Sequence, residues 1–157
     1  MMAGGSENHA LLNLTIGSIL RNAVRGRDCR AYGSDLLVYV ESADLSGYPD
    51  AMVICGPTHF ADRRNLVVDN PVLLVEVLSP TTEAFDRGDK FSAYKQLSSL
   101  RELLFIAQDR PWVEYWQKQD GAWVSVVVEG MDRVVELQHL GVTISTAELY
   151  ADVRWSA

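Results

Sequence analysis

Apolar residues recur along the first part of the chain with the period of a helix. One stripe, with intervals of one to four residues, contains Leu12, Ile16, Ile19, Leu20 and Ala23. Ser6, a favourable N-cap residue, precedes this stripe, and Gly26 follows it. The pattern predicts an amphipathic helix that begins after Ser6, ends before Gly26 and packs one face on a core.

Short apolar runs separated by turn residues predict that much of the remaining chain forms a sheet. The predicted strands cover residues 36–40, 51–55, 71–80, 103–107, 112–116 and 123–128, with shorter strands around 134–135 and 142–144. Asp120-Gly121 is a strong hairpin signal between two of these strands. Residues 42–47 are expected to form a polar connection and residues 56–70 a long loop.

One longer helical segment interrupts the strands. Residues 81–97 contain many helix-forming residues, and Phe91, Tyr94 and Leu97 are spaced so that one face packs on the sheet. A last helical turn is expected at residues 146–150. The order of helix, strands, helix and strands, with one marked crossover helix, predicts an α/β fold with a mixed sheet.

A single acid stands inside a largely apolar strand. Residues 71–80 are rich in valine and leucine, with proline at each end, and such a run predicts an inner strand covered on both faces. An unpaired, ionised Glu76 in that setting would cost on the order of several kcal/mol. We therefore expect Glu76 to be paired, to bind a metal, or to lie at the strand end facing a cleft.

Composition limits the class of protein. A chain of 157 residues with 48% hydrophobic content fits a single domain over residues 1–157. The net charge of -7 argues against indiscriminate nucleic-acid binding, although it does not exclude a locally basic cleft. No long apolar run and no secretion signal is present in the sequence, so we expect a cytoplasmic protein with no membrane partner.

The spacing of the two cysteines indicates neither a metal site nor a disulfide. Cys29 and Cys55 are far apart in sequence, and neither has a neighbouring Cys or His at metal-ligand spacing. We expect two ordinary buried thiols rather than a disulfide or a metal site.

A basic cluster follows the first predicted helix. Its members are Arg21, Arg25, Arg27 and Arg30. These arginines could contact phosphates, but cations at the C-terminal end of a helix also complement the macrodipole. We favour the second interpretation.

Asp50, Glu76 and Lys90 combine into a candidate hydrolytic site. Phosphodiester cleavage needs a hard cation, and magnesium is held by one or two carboxylates while it keeps several waters. The cation lowers the pKa of a water, which a nearby lysine can orient or deprotonate. The alternatives are a structural ion pair for Glu76, a turn or strand-cap role for Asp50, and a surface ion pair of Lys90 with Asp86.

The same residues lie in motifs that resemble the Uma-two family of restriction endonucleases, within the PD-(D/E)xK nuclease superfamily. The motifs are YPD at 48–50, LVEVLSPTT at 74–82 and DRGDKFSAY at 86–94, with SD at 34–35 and LRE at 100–102. The resemblance covers essentially the whole chain. It implies a restriction-endonuclease-like fold, which is a mixed central sheet flanked by helices.

The resemblance also implies roles for individual residues. Asp50 and Glu76 match the two metal-ligand acids of the superfamily, and the backbone carbonyl of Val77 matches a third ligand. The expected lysine two positions after the second acid is replaced by Leu78, and the resemblance assigns that role to Lys90. The implied cofactor is Mg2+ or Mn2+, and the implied substrate is DNA.

Two functions remain open from the sequence. The chain resembles an N-terminally shortened family member, because members typically begin with a further helix and strand that contribute another acid. The first function is metal-dependent DNA endonuclease activity. The alternative is a catalytically impaired nuclease-fold domain that acts by self-association or partner binding. A homodimer is compatible with both, and His9 either lines the site or serves as a capping or packing residue.

Overall fold

A six-stranded sheet forms the centre of the protein. The computed structural model describes residues 5–80 and 83–155, apart from the side chain of Asp86. The strands are β1 (Cys29–Tyr32), β2 (Leu37–Val40), β3 (Leu45–Gly47), β4 (Ala51–Cys55), β5 (Val67–Val68), β6 (Leu73–Leu78), β7 (Glu102–Ala107), β8 (Trp112–Gln119), β9 (Ala122–Glu129), β10 (Val134–Leu137) and β11 (Val142–Ser145). The helices are α1 (Glu7–Val24), α2 (Glu83–Phe85), α3 (Phe91–Tyr94) and α4 (Thr146–Leu149), with a 3-10 turn at Glu41–Ala43 and a π-helical turn at Asp86–Lys90.

The central sheet has the strand order β1-β4-β6-β7-β8-β9. Strands β6 and β7 run parallel, and the other neighbouring pairs run antiparallel. A parallel pair needs a crossover connection, which the helical residues between β6 and β7 provide. The mixed sheet and its flanking helices confirm the predicted α/β class.

Helix α1 packs on one face of this sheet. Its N-cap is Ser6, whose side-chain oxygen accepts a hydrogen bond from the N–H of His9 at 3.1 Å. The buried stripe of the helix consists of Leu12, Ile16, Ile19, Leu20 and Val24. Together with α4 and the β10–β11 hairpin, the stripe forms a core over Leu73, Val75 and Val77 of β6. Within the described residues, no helix is long and apolar enough to cross a membrane.

The opposite face of the sheet is covered by the helical segment and by a second sheet of order β3-β2-β5. Phe91, Tyr94 and Leu97, which the sequence placed on the sheet-facing side, are buried there beside Phe105. Because both faces are covered, all six residues of β6 are buried, including Glu76. This arrangement confirms the prediction of an inner strand.

Two strands lie where the sequence predicted connections, and a third lies where no element was predicted. Strand β1 follows α1, β3 lies in the expected polar connection, and β5 lies in the expected long loop. Strands β3 and β5, of three and two residues, are too short to display a period of two, and β1 (CRAY) contains no continuous apolar run, so the sequence pattern missed all three. The helical segment is also shorter and less regular than the predicted residues 81–97. It comprises α2, the π-helical turn and α3, while residues 81–82 lie outside the described part.

Cys29 and Cys55 form a disulfide, so the expectation of two separate thiols is wrong. The two residues lie directly opposite each other in the antiparallel β1–β4 pair, with their Cα atoms 3.9 Å apart. No sequence pattern indicated this bond, because β1 was not predicted and the cysteines are 26 residues apart. The bond joins the edge strand β1 to β4, the strand that Asp50 precedes.

Candidate active site

Asp50 and Glu76 lie at neighbouring positions on two paired strands. Asp50 directly precedes β4, as predicted, and Glu76 lies within β6. The antiparallel register pairs Ala51 with Val75, and one further step places Asp50 opposite Glu76. The side chains are 12% exposed for Asp50 and 4% exposed for Glu76. The pairing of β4 with β6 therefore brings two mostly buried acids to the same part of the sheet.

The carboxylate of Asp50 is fixed by two other elements. The backbone N–H of Val77 donates to Oδ2 at 2.7 Å, and Nε2 of His9 lies 3.4 Å from Oδ1. The backbone N–H of Asp50 also donates to the carbonyl of Val75 at 3.0 Å. Asp50 is therefore joined to β6 through both its backbone and its side chain, while His9 of α1 contacts it from the other layer.

Glu76 is paired within the protein, as its burial requires. Oε1 lies 2.9 Å from Nζ of Lys90 and accepts a hydrogen bond from the hydroxyl of Tyr94 at 3.0 Å. The ammonium group and the hydroxyl offset the cost of holding an ionised carboxylate away from water. The side chain of Lys90 is itself only 13% exposed, so this ion pair is largely screened from solvent. The structure thus places the predicted lysine against the predicted acid.

The local backbone explains how Lys90 reaches Glu76. Lys90 is the last residue of the π-helical turn, and Phe91 begins α3 directly afterwards. Such turns are rare in proteins and are often found at functional sites. Gly47 of β3 lets the side chains of Lys90 and Tyr94 lie close to the backbone of that strand. A Cβ atom there would lie 3.4 Å from Cε of Lys90 and 3.3 Å from the hydroxyl of Tyr94.

A second ion pair holds the same turn on the sheet. Arg87 contacts Oε2 of Glu114 at 2.7 Å, and the indole N–H of Trp116 donates to Oε1 of Glu114 at 2.7 Å. Glu114 lies opposite Phe105, which in turn lies opposite Glu76. The two buried acids therefore stand in one row across β6, β7 and β8, each facing a cation from the same turn.

The structure also shows which parts of the site the sequence did not identify. Tyr94 was predicted only as a packing residue, yet its hydroxyl donates to Glu76. His9 is the residue for which two roles stayed open, and it contacts Asp50. The ion pair of Arg87 with Glu114 gave no sequence signal, because the two residues are 27 positions apart. The alternative pairing of Lys90 with Asp86 involves a side chain outside the described part.

The donor atoms suit a hard divalent cation. Asp50 and Glu76 supply carboxylate oxygens, and one or two carboxylates are enough for magnesium, which keeps several of its waters. The described residues contain no group of three or more His, Cys, Asp or Glu side chains that could hold a metal. At Val77 the structure shows the N–H donating to Asp50. The carbonyl of Val77 as a third ligand stays a prediction.

Comparison with other proteins agrees with this fold and these motifs. Residues 1–147 match the family Uma2, described as "Putative restriction endonuclease". The uncharacterized protein slr1290 of Synechocystis sp. is 32% identical over 151 residues, which cover 95% of this chain and 77% of that protein. The uncharacterized protein sll1609 of the same organism is 31% identical, with 88% of this chain and 79% of that protein covered.

A solved structure has a similar fold. It is a putative nuclease belonging to DUF820 from Anabaena variabilis, with a TM-score of 0.76 and 18% sequence identity. The match covers 96% of this chain and 83% of that chain. At this identity the likeness shows the fold alone. On the match of residues 1–147 and the two relatives above 30% identity, the chain belongs to the Uma2 family of restriction-endonuclease-like proteins.

Proposed function

We propose that the protein is a metal-dependent endonuclease that hydrolyses phosphodiester bonds of DNA in the cytoplasm. The single observation that supports this proposal best is the buried contact of Lys90 with Glu76, opposite Asp50 in the sheet register. Membership of a family described as "Putative restriction endonuclease" supports this reaction class. The proposal does not depend on the low-identity structural neighbour.

We assign the metal ligands to Asp50, Glu76 and the carbonyl of Val77, with Mg2+ or Mn2+ as the ion. When bound, such an ion would lower the pKa of a water and neutralise charge on the phosphate. Asp50 is oriented for this role by the N–H of Val77. Glu76 is oriented by Tyr94, which donates to the same oxygen that Lys90 contacts.

Lys90 has a role of its own in this proposal. Its ammonium group, held next to Glu76, can orient a water for attack and stabilise the negative charge that develops on the phosphate. Because the side chain is mostly buried, that charge acts in surroundings that screen it less than bulk water does. In this proposal Lys90, on the segment after β6, takes the role of the superfamily lysine, because Leu78 occupies the position where that lysine is expected.

Cleavage of supercoiled plasmid DNA tests the proposal. We expect the wild-type protein to nick or linearise the plasmid when Mg2+ or Mn2+ is added and to be inactive in EDTA. Glu76→Gln and Lys90→Met should each lower the rate at least about 100-fold, because they remove a metal ligand and a charge-stabilising group.

Two matched substitutions control for general damage to the protein. Glu136→Gln changes an exposed strand glutamate, and Lys95→Met changes a lysine of the same segment that contacts the ring of Phe91. Both should leave cleavage close to the wild-type rate. Wild-type protein without activity on plasmid or single-stranded DNA in either metal would contradict the proposal.

Self-association is the second candidate role, and one observation favours it. Strand β9 is an edge of the central sheet, and Val124, Val126 and Val127 on it are 40%, 50% and 44% exposed. An edge strand with exposed apolar side chains and few charges is a template for pairing with another chain. We propose that a homodimer forms through β9, and light scattering of wild type and Val126→Lys tests this. A monomeric wild type would exclude the dimer.

A further inference from the structure

A groove runs from the candidate active site along helix α1. It has a volume of about 610 Å³ and is lined on one side by α1 and on the other by the end of β1 with the turn that follows. The residues that matter here are Asp50 at one end, Arg21 at the other, and Asn13 and Tyr32 between them. The same groove therefore connects one of the two candidate metal ligands to the basic cluster at the end of α1.

The groove has the length of several nucleotides. His9, which contacts Asp50, and Arg21 are twelve residues apart on α1. At about 1.5 Å per residue, they are separated by about 18 Å along the helix axis. Phosphates of one strand follow each other at about 3.4 Å along a duplex axis and are farther apart in an extended single strand, so a few nucleotides fit this length.

The basic end of the groove is positively charged. In residues 5–80 and 83–155, none of the cluster's arginines (Arg21, Arg25, Arg27 and Arg30) forms an ion pair with a carboxylate. Arg21 and Arg25 also line an adjoining hollow of about 220 Å³ with Arg30. The acid inside this stretch of sequence is Asp28, which is exposed. In a chain of net charge -7, this is a local basic surface.

The guanidinium of Arg30 is held in place by neutral acceptors. It donates to the hydroxyl of Tyr32 at 3.0 Å, to the side chain of Thr58 at 3.1 Å, and to the carbonyl of Gly56. These bonds orient the cation and leave its charge uncompensated. The macrodipole of α1 accounts for basic residues in its last turn, but it does not account for Arg30, which lies in β1.

The middle of the groove offers surfaces for bases. Tyr32 lines this groove and also a neighbouring cavity of about 410 Å³, where Phe60 and Leu36 lie. Asn13 adds an unused acceptor, because its Oδ1 is buried and has no hydrogen-bond partner among the residues that the structure describes. A positively charged track combined with aromatic side chains is typical of proteins that bind single-stranded nucleic acid.

We infer that the groove binds a single-stranded segment of nucleic acid that leads away from the phosphate at the candidate active site. Arg21 contacts the phosphate backbone of that segment, and Tyr32 stacks on one of its bases. The identity of the ligand rests on the proposed function. The groove itself is lined by residues other than Glu76 and Lys90, so its binding can be measured without catalysis.

Fluorescence anisotropy in EDTA tests the inference, because without metal no cleavage interferes. The probes are a labelled DNA single strand of about 12 nucleotides, the duplex of the same sequence and the matching RNA strand. We expect the single strands to bind more tightly than the duplex. Arg21→Glu should weaken single-strand binding at least about tenfold and reduce the salt dependence of log Kd by about one unit.

Substitutions at Tyr32 separate stacking from folding. Tyr32→Leu should weaken single-strand binding about tenfold, whereas Tyr32→Phe keeps the ring and should bind as the wild type does. Arg133→Glu, which changes an exposed arginine outside the groove, is the control for net charge and should weaken binding much less than Arg21→Glu.

The possible outcomes distinguish this inference from the proposed function. Tighter binding of the duplex than of the single strand, or an equal effect of Arg21→Glu and Arg133→Glu, would overturn the groove assignment. Either result could coexist with metal-dependent cleavage. Conversely, single-strand binding that depends on Arg21 in a protein without cleavage activity would support the groove and contradict only the nuclease proposal.

Discussion

At the scale of single residues, the site depends on close contacts around Lys90. Glu76, Lys90 and Tyr94 meet at one carboxylate oxygen, and all three side chains are mostly buried. Gly47 is the residue that leaves room for them. Glu76 was identified from the sequence because an acid in an apolar strand demands a partner, and Lys90 was identified through the resemblance to the Uma-two family. The sequence pattern missed the hydroxyl of Tyr94, since an aromatic stripe is read as packing alone.

Gly47→Ala tests how closely this contact must be kept. The added methyl group would lie 3.3 Å from the Tyr94 hydroxyl and 3.4 Å from Cε of Lys90, so one of these groups must shift. We expect the cleavage rate to fall by roughly 10- to 100-fold, because Lys90 is the proposed catalytic lysine and small displacements of such a group are costly. The plasmid assay measures the rate.

Gly88→Ala is the control for this substitution. A Cβ atom at Gly88 meets nothing within 4 Å, although the residue lies in the same turn as Lys90. Its cleavage rate should stay near that of the wild type. A Gly47→Ala protein as active as Gly88→Ala would show that the position of Lys90 is not critical.

At the scale of elements, the π-helical turn is the part that organises the site. Lys90 contacts Glu76 and Arg87 contacts Glu114, so the turn is joined to β6 and β8 by two ion pairs. Arg87 also lies over the ring of Trp112 at 5.5 Å. The pairing of β6 with β7 and of β7 with β8 sets the distance between Glu76 and Glu114. The turn must hold Lys90 and Arg87 at a matching distance.

Glu114→Gln tests whether the ion pair of Arg87 with Glu114 helps to position the turn. The substitution removes the nearer of two charge partners of Arg87, the other being Glu83 at 3.7 Å. The side chain of Arg87 is 43% exposed, so the loss of stability should be only about 1 kcal/mol. We expect kcat to fall several-fold with little change in KM, since Lys90 is less well positioned while the groove is unaltered. Steady-state cleavage of an oligonucleotide measures both constants.

Glu129→Gln is the matched control, because Glu129 is an exposed glutamate on the adjacent strand β9. Its kinetic constants should equal those of the wild type. If Glu114→Gln lowers stability and leaves kcat unchanged, the ion pair is structural only and does not position Lys90.

The sequence predicted the elements that carry a strong local signal and missed those that carry none. Helix α1, β6 and the β8–β9 hairpin each carry a strong local signal, namely an N-cap with a stripe, a proline-bounded apolar run, and Asp120-Gly121. Strands β1, β3 and β5 are formed by pairing with other strands, and they show no alternation of apolar and polar residues that would predict them. The Cys29–Cys55 disulfide follows from the pairing of β1, so it was missed for the same reason.

At the scale of the whole molecule, two buried tyrosines join the C-terminal elements to the sheet. The hydroxyl of Tyr115 donates to Glu102, whose carboxylate also accepts the backbone N–H groups of His139 and Leu140. The hydroxyl of Tyr150 in turn donates to the carbonyl of Ala107 at 2.7 Å. These bonds hold the β10–β11 hairpin and the end of α4 against β7 and β8.

The protein should lose stability at alkaline pH through these tyrosines. Burial raises the pKa of Tyr115 above its usual 10.0, helped by its hydrogen bond to Glu102, and burial also raises the pKa of Tyr150. The unfolded chain therefore releases these protons first. Stability should be intact below about pH 10 and fall above it, by up to about 1.4 kcal/mol per pH unit for each tyrosine.

Urea unfolding at pH values from about 8 to about 11.5 measures this dependence, because this range brackets the ordinary pKa of tyrosine. Tyr115→Phe should reduce the decrease in the free energy of unfolding per pH unit by the contribution of one tyrosine. Tyr48→Phe, which changes a half-exposed tyrosine, should leave this decrease unchanged. Stability that does not change up to the top of that range would contradict the role of the buried hydroxyls.

The charge distribution of the molecule fits a nuclease better than its net charge suggests. The chain carries 21 acidic and 14 basic residues, yet four of its arginines lie within residues 21–30 and none of these is ion-paired in the described structure. The sequence interpretation that assigned them to the helix dipole explains Arg21 and leaves Arg30 unexplained. A groove that connects this cluster to Asp50 could be seen only in the folded protein.

We propose that Asp50 and Glu76 together hold one divalent ion. Calorimetric titration of the metal-free protein with Mn2+ tests it most directly, using wild type, Asp50→Asn and the exposed-acid control Glu136→Gln. We predict one site per chain in wild type and Glu136→Gln, and an affinity at least about tenfold weaker in Asp50→Asn. No binding to the wild type, or equal binding to wild type and Asp50→Asn, would contradict the account.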